Sequence, residues 1–117
     1  MPPYQKLVLN TIDSIHIIQT ENILYGKSSN SYTTFYLTNH EPIVVSRNIK
    51  EFEAELSSAR FFRTHQSYLV NLEHILKIDK SDGFTLVLTD NSRIPISIRK
   101  KKALIQILQN NERFQDE

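Results

Sequence analysis

The sequence has 117 residues and contains no cysteine, no tryptophan and only two glycines, Gly26 and Gly83. Without cysteine, the chain has no means of forming a disulfide framework, a thiolate metal site or a thiol nucleophile. Two glycines are too few for the glycine-rich loop that cradles phosphates in P-loop proteins. We therefore expect no cofactor, and the lack of cysteine fits a protein of the reducing cytoplasm.

Long apolar runs and a strong net charge are also missing. No apolar run approaches the ~20 residues of a membrane-spanning helix, and the first residues lack a signal-peptide pattern, so we expect a cytoplasmic protein without a membrane partner. With 14 basic and 13 acidic residues, the net charge is +1, which by itself does not indicate nucleic acid. The length suits one domain. We interpret residues 1–6 as a linker or an added start, 7–109 as the domain and 110–117 as a polar tail.

The basic residues are concentrated near the end of the chain. Residues 93–102 carry five basic side chains and no acidic one: Arg93, Arg99, Lys100, Lys101 and Lys102. Local potential, rather than net charge, governs contact with DNA, so one basic face is enough for binding. A solvated lysine cluster would have the same composition. This stretch alone therefore leaves both interpretations open.

Short alternating apolar runs predict a mainly β domain of roughly nine antiparallel strands. The predicted strands lie at residues 6–10, 14–19, 23–25, 32–38, 43–45, 68–70, 75–80, 85–88 and 93–96. Residues 26–31 (GKSSNS) have the composition of a loop. Residues 49–58 have helical periodicity, with Ser46 or Asn48 available as the N-cap and the glutamates outward. A C-terminal helix is predicted from an apolar face made of Ala103, Leu104, Ile107 and Leu108.

Residues 61–75, FFRTHQSYLVNLEHI, form the most informative stretch of the chain. Two phenylalanines precede a polar run at 63–67 that contains no acid, and an apolar β-prone stretch follows it. We interpret the polar run as a loop held in one shape by its apolar neighbours. A loop that offers hydrogen-bond donors but no carboxylate suits a polyanion. Gln66 has the donor and the acceptor that pair with N6 and N7 of adenine in the major groove.

This stretch closely resembles the central motif of the LytTR family of bacterial DNA-binding domains. That motif runs roughly F-x-R-x-H-[basic or Asn]-S-[aromatic]-[aliphatic]-V-N-x-x-x-I. The matching residues are Phe62, Arg63, His65, Ser67, Tyr68, Val70, Asn71 and Ile75. Gln66 departs from the motif, since the family more often has a basic residue or Asn there. The resemblance extends from Leu7 to Leu108.

The resemblance implies a compact, antiparallel LytTR-type β domain with one short central helix, a C-terminal helix and three regions that contact DNA. Carried over by position, the contacts fall on Asn30 or Ser31, His65, Gln66 and Arg99. We add Ser67, Lys100 and Lys101 as candidate DNA contacts beside them. The implied partner is double-stranded DNA with paired direct repeats. A receiver domain would belong to the full-length regulator, and the isolated domain would be monomeric in solution. Arg63 is expected to hold the loop through a backbone carbonyl or a carboxylate rather than to contact a phosphate. Asn71 is expected to satisfy backbone groups at the end of the loop rather than to touch a base.

Two other classes of function compete with DNA binding. Ser67, His65 and Asp79 contain the atoms of a catalytic triad, but no nucleophile elbow accompanies them. The four histidines never form the close pair typical of a zinc site, so we expect neither catalysis nor a metal. The second alternative is a protein-interaction module that accepts a partner strand at residues 93–96. Such a module has no need of the acid-free basic stretch that follows.

Overall fold

A computed structural model describes residues 5–57, 59–81 and 83–111, and these residues form three antiparallel sheets and two α-helices. The N-terminal sheet pairs β1 (Lys6–Asn10) with β2 (Ile15–Gln19). The five-stranded sheet has the order β5-β4-β3-β7-β6 and contains β3 (Ile23–Ser29), β4 (Tyr32–Leu37), β5 (Ile43–Val45), β6 (Phe61–His65) and β7 (Tyr68–Asn71). The mainly β fold predicted from the sequence is confirmed.

The third sheet has the order β10-β9-β8 and contains β8 (Ile75–Asp79), β9 (Thr85–Leu88) and β10 (Arg93–Pro95). The helices are α1 (Ile49–Glu55) and α2 (Lys101–Asn111). Short 3-10 turns occupy Thr20–Asn22, Leu72–His74 and Ile98–Lys100. Among the described residues, no helix is both long and apolar enough to cross a membrane.

The five-stranded sheet lies between the other elements of the fold. Residues that are adjacent along its strands are buried on opposite faces of the sheet. Leu69 and Val70 are adjacent in β7, and both are almost completely buried, yet they belong to separate apolar clusters. The first cluster joins this sheet to α1 and to β1. The second joins it to the three-stranded sheet and to Leu104 of α2. The alternation of strand side chains thus produces a layered fold.

The helix α1 follows the predicted apolar periodicity. Ile49, Phe52 and Leu56 are buried, and the Phe52 ring meets the Phe35 ring edge-on with 4.8 Å between centroids. The side chain of Asn48 caps the helix by accepting a hydrogen bond from the Glu51 backbone N–H at 3.2 Å. The helix ends earlier than the predicted residue 58, which lies outside the described residues.

The predicted loop at 26–31 is wrong for its first four residues, because β3 continues to Ser29. Gly26 is a buried strand residue, not a breaker, and a Cβ atom there would lie 3.1 Å from the ring of Phe35. Glycine therefore makes room for an aromatic side chain from β4. Asn30 and Ser31 alone form the turn, and Asn30 has a φ of 56°, a region that Asn tolerates.

Two further predictions change, and a third lies mostly outside the described residues. The polar run at 63–67 is not one loop, since β6 extends to His65 and the turn is reduced to Gln66 and Ser67. Ala103 is exposed, so the buried side of α2 rests on Leu104, with Ile107 and Leu108 half-buried. The predicted linker and tail fall largely outside the described residues, although α2 runs to Asn111.

Candidate functional site

Two hairpin tips lie side by side at one end of the five-stranded sheet. One is the turn of Asn30 and Ser31 between β3 and β4, and the other is the turn of Gln66 and Ser67 between β6 and β7. Since β3 also pairs with β7, the Ser28 backbone N–H donates to the Ser67 carbonyl at 2.8 Å. The sheet therefore brings together two polar segments that are far apart in sequence.

The third polar segment, the 3-10 turn Ile98–Lys100, is attached to β6 by a backbone hydrogen bond. The Ser97 N–H donates to the Thr64 carbonyl at 2.8 Å. Thr64 lies where the register of β6 against β7 shifts between Arg63 and His65, so its backbone is displaced from the regular ladder. Because β6 is an edge strand, its outer side is available to this segment.

The end of the β6–β7 hairpin, the segment that contains the 3-10 turn and the helix α1 line an open polar cleft of about 480 Å³. The lining residues are Glu53, Arg63, His65, Gln66, Ser97, Arg99 and Lys100. Three of them carry a permanent positive charge and one is acidic. A cleft of this composition favours an anionic partner.

Arg63 occupies the inner wall of the cleft and fixes its shape. One terminal nitrogen donates to Glu53 Oε1 of α1 at 2.7 Å, and the other donates to the Gln66 carbonyl at 2.6 Å. The Arg63 side chain is only 17% exposed. The structural role predicted for Arg63 therefore agrees with the geometry.

Asn71 closes the other end of β7 in a similar way. Its side-chain amide donates to the carbonyls of Thr20 and Ile23 at 3.2 and 2.9 Å, and its oxygen accepts from the Glu73 N–H at 2.9 Å. The residue is 1% exposed. It satisfies backbone groups, as its place at the end of the motif predicts.

His65 contributes a defined donor to the cleft. Its Nδ1 atom lies 3.1 Å from the Ser67 backbone nitrogen, whose N–H can only donate. In the neutral ring the proton is therefore on Nε2, where it can serve a partner. The ring also packs edge-on against Tyr68, with 5.8 Å between centroids.

The basic residues of the third segment differ in their surroundings. Arg99 is exposed, whereas the Lys100 ammonium lies 5.5 Å from the Phe62 ring centroid. The Lys101 ammonium lies 4.7 Å over the Phe84 ring, and Lys101 does not line the cleft. The segment is the 3-10 turn Ile98–Lys100, which leads directly into α2. The Ser97 side chain makes no cap bond there.

The predicted contact residues are thus partly gathered. One cleft is lined by His65, Gln66, Arg99 and Lys100. Ser67 follows Gln66 in the same turn but does not line the cleft. Asn30 and Ser31 form the neighbouring tip, while Lys101 lies apart.

The sequence missed the contribution of Glu53, which was placed on the outward face of α1. Helical periodicity identified that face but not the arginine that approaches it from β6. The polar residues Ser97 and Glu53 could be assigned to the cleft only after the strands were paired.

The atoms weighed as a catalytic triad are not joined around a nucleophile. Asp79 accepts hydrogen bonds from Arg93 at 2.9 Å and from the Ser81 hydroxyl at 2.6 Å, both within the region of the three-stranded sheet. Across residues 5–57, 59–81 and 83–111, no three histidine or acidic side chains converge as a metal site would need.

The sequence matches the family described as the LytTr DNA-binding domain over residues 13–109. It is 32% identical over 112 residues to the sensory transduction protein LytT of Oceanobacillus iheyensis, covering 92% of this chain and 46% of that protein. It is 29% identical over 94 residues to the transcriptional regulatory protein LytR of Staphylococcus aureus, covering 79% of this chain and 38% of that protein. The chain therefore spans less than half the length of these relatives.

The fold matches a solved LytTr DNA-binding domain from Bacillus cereus with a TM-score of 0.76. The match covers 88% of this chain and 95% of the other, at 23% sequence identity. At 23% identity, the structural match supports the fold alone. Membership of the family rests on the match over residues 13–109 and on the sequence relatives.

Proposed function

Because the chain belongs to the LytTR family of DNA-binding domains, we propose that it binds double-stranded DNA sequence-specifically through the surface described above. We name this the tip surface: Asn30, Ser31, His65, Gln66, Ser67, Arg99 and Lys100. The single observation that carries the proposal is the meeting of the two hairpin tips and the basic 3-10 turn at one end of the sheet. Three segments separated in sequence present donors and cations together.

Within the tip surface, we assign different tasks to different side chains. Arg99 is exposed and has a planar fork that suits either a phosphate or the O6 and N7 atoms of guanine. Lys100 is a point charge suited to phosphate. His65 and Gln66 enter the major groove together, with the Nε2 proton of His65 as donor and Gln66 selecting an adenine. Asn30 and Ser31 contact DNA beside them.

Lys101 is the one predicted contact that we leave out of the tip surface. Its ammonium is already over the Phe84 ring, and a cation held on an aromatic face must leave it to reach a phosphate. We assign it a long-range electrostatic effect that is independent of sequence.

We further propose that this chain is the output domain of a transcriptional regulator of the two-component type, which acts in the cytoplasm. The names of the relatives, a sensory transduction protein and a transcriptional regulatory protein, support this assignment. A receiver domain elsewhere in the full-length protein would then control dimerisation on paired direct repeats. The isolated domain would bind one half-site as a monomer.

The alternative of a strand-accepting module rests on β10, which lies at the edge of its sheet. The strand is three residues long and contains Pro95, which has no N–H to donate to a partner strand. Arg93 is already paired with Asp79. These features favour the tip surface as the functional one.

The decisive experiment is selection of bound duplexes from a random DNA pool, followed by salt titration of binding. We expect enrichment of one short motif, with a scrambled duplex of the same length as the control. The slope of log K against log salt should change by about 0.9 for each phosphate contacted. No enriched motif together with a salt slope near zero would contradict the proposal.

A further inference from the structure

We propose that Glu53, on helix α1, is a positioning residue for DNA recognition, acting through Arg63 on the tip of the β6–β7 hairpin. The inference rests on the proposed function, since it names a residue that acts behind the tip surface. Glu53 is not expected to touch a base. Its task is to keep the backbone at Gln66 in the shape that presents His65 and Gln66 to the groove.

The physical link is Arg63, which joins helix and hairpin. Its two terminal nitrogens bind Glu53 at 2.7 Å and the Gln66 carbonyl at 2.6 Å. A guanidinium is planar, so a partner that fixes one nitrogen also fixes the direction of the other. The Arg63 side chain is 17% exposed, so the guanidinium itself is largely sheltered, whereas Glu53 is open to solvent on its outer side. Glu53 thereby sets where Arg63 holds the hairpin.

The tip is a short turn, and Arg63 is the side chain that bonds to the Gln66 carbonyl. The turn consists of Gln66 and Ser67, and the Gln66 side chain is exposed. The other hydrogen bonds at the tip join Ser67, and not Gln66, to Ser28 and to His65. A loop that is already ordered loses less conformational entropy when it binds, which favours affinity for a matching surface.

The charge of Glu53 makes the inference testable, because electrostatics alone predicts the opposite result. Glu53 lines the same cleft as Arg99 and Lys100, and a carboxylate there repels DNA phosphates. If Glu53 acted only as a charge, its removal would strengthen binding to every duplex. If it positions the tip, its removal weakens binding to the matching duplex and leaves other duplexes bound as well or better.

The chain provides a matched control on the same helix. The Glu55 side chain is 44% exposed and that of Glu53 is 43% exposed, and each accepts a hydrogen bond from an arginine. Glu55 pairs with Arg47 at 2.8 Å, and Arg47 is bound to α1 rather than to the hairpin tip. Replacing either glutamate with alanine changes the net charge equally and keeps a good helix former.

The experiment compares Glu53→Ala, Glu53→Gln and Glu55→Ala with the wild-type chain. Each is titrated with the duplex that wild type selects from a random pool and with a scrambled duplex of the same length. We expect Glu53→Ala to lose about threefold or more in affinity for the selected duplex, as expected for two coupled groups. Binding to the scrambled duplex should stay the same or tighten. Glu53→Gln should be intermediate, since its amide oxygen still accepts from Arg63, and Glu55→Ala should keep the wild-type ratio.

Two further measurements separate positioning from a general loss of folding. In 15N-labelled protein without DNA, the amide signals of Gln66 and Ser67 should shift in Glu53→Ala and stay in place in Glu55→Ala. In an Arg63→Lys background, Glu53→Ala should cost little further specificity, because the link is already broken. Thermal melting of each variant ensures that binding is compared below its unfolding transition.

The outcomes distinguish the inference from the proposed function. If Glu53→Ala keeps the wild-type preference for the selected duplex, or binds both duplexes more tightly, the inference is overturned while the proposed function stands. If wild type does not discriminate between any duplexes, both fail. A fall in preference confined to the Glu53 variants, with the tip amides shifted, supports the inference.

Discussion

Arg47 and Arg63 both bind glutamates of α1, but they differ in their remaining contacts. Arg47 donates to Glu51 at 3.1 Å and to Glu55 at 2.8 Å, and its guanidinium lies 4.3 Å over the Phe52 ring. Both Arg47 partners are on the helix it flanks. Arg63 divides its donors instead, with one bond to α1 and one to the hairpin tip.

The same ion-pair chemistry therefore serves two purposes, according to where the second hydrogen bond of the arginine goes. An arginine that bonds twice to one helix adds modestly to stability, because both groups are exposed to solvent and salt. An arginine that bonds to two elements also fixes the distance between them. We therefore expect substitutions at Arg47 to affect folding and substitutions at Arg63 to affect recognition.

The largest expected effect is that of Arg63→Ala, which should lower affinity for the selected duplex by about tenfold or more. The substitution removes the bonds of Arg63 to Glu53 and to the Gln66 carbonyl. A hydrogen bond to a charged group contributes about 1.5–3 kcal/mol, so losing the shape of the tip should be costly for binding. The change also leaves Glu53 unpaired beside the DNA. Arg47→Ala removes an equal charge away from the tip and should change affinity by less than about threefold. Fluorescence anisotropy with a labelled duplex measures both.

A charge-preserving variant separates geometry from electrostatics at this position. Arg63→Lys keeps the cation but lacks the planar fork, so it should remain weak. Equal losses from Arg63→Ala and Arg47→Ala would mean that net charge governs binding, and the contrast between the two arginines would fail.

Next in size is the contrast between Arg99 and Lys101. Arg99→Ala should cost about 1–3 kcal/mol in binding and relax the preference at one base pair, if its fork reaches a guanine edge. Lys101→Ala should weaken all duplexes alike and by less, because its ammonium lies over Phe84. Binding measured against a panel of single-base variants separates the two. Non-selective losses of the same size from both changes would reduce Arg99 to a phosphate anchor.

Gln66→Arg is expected to change which base is preferred more than how tightly DNA is bound. Gln pairs with adenine through one donor and one acceptor, whereas Arg donates twice and pairs with guanine. The preference at one position should therefore move from adenine towards guanine, by about 1–3 kcal/mol of discrimination. The same single-base panel measures it. Uniformly tighter binding with an unchanged preference would show that Gln66 faces the DNA backbone.

The smallest effect is expected on the Arg47 side of α1. Glu51→Ala should lower the free energy of unfolding by about 0.2–1 kcal/mol, because its side chain is 53% exposed and its partner is 40% exposed. DNA binding should not weaken. Urea denaturation followed by circular dichroism measures the stability. A loss of binding as large as that of Glu53→Ala would mean that α1 acts as a whole and not through Arg63.

Much of the fold could be predicted from the sequence because the apolar periodicities are regular. The alternation around Leu7 and Leu9 located β1, and the helical spacing of Ile49 and Phe52 located α1. The prediction failed at Gly26, because residues 26–31 have the composition of a loop. In the structure, this glycine lies in a strand and makes room for the Phe35 ring. Such a close approach between strands depends on pairing, which periodicity does not encode.

The sequence predicted which segments contribute to the candidate site, but not how those segments are arranged relative to one another. Polar runs without acids identified the segments that contain His65 and Arg99. The bond between Ser97 and the Thr64 carbonyl, which brings those segments together, depends on a register shift in β6 that has no clear mark in the sequence. The link from Glu53 to Arg63 likewise required the position of α1 over the sheet.

The most direct test of DNA binding by the tip surface is titration of the 15N-labelled chain with the selected duplex, followed by amide NMR signals. We predict that the perturbations concentrate at residues 28–31, 65–67 and 97–100, while β1 and β2 remain unperturbed. A scrambled duplex should give smaller shifts at the same positions. Perturbations centred on the β1–β2 hairpin or on the three-stranded sheet, with the tip surface unchanged, would contradict the assignment.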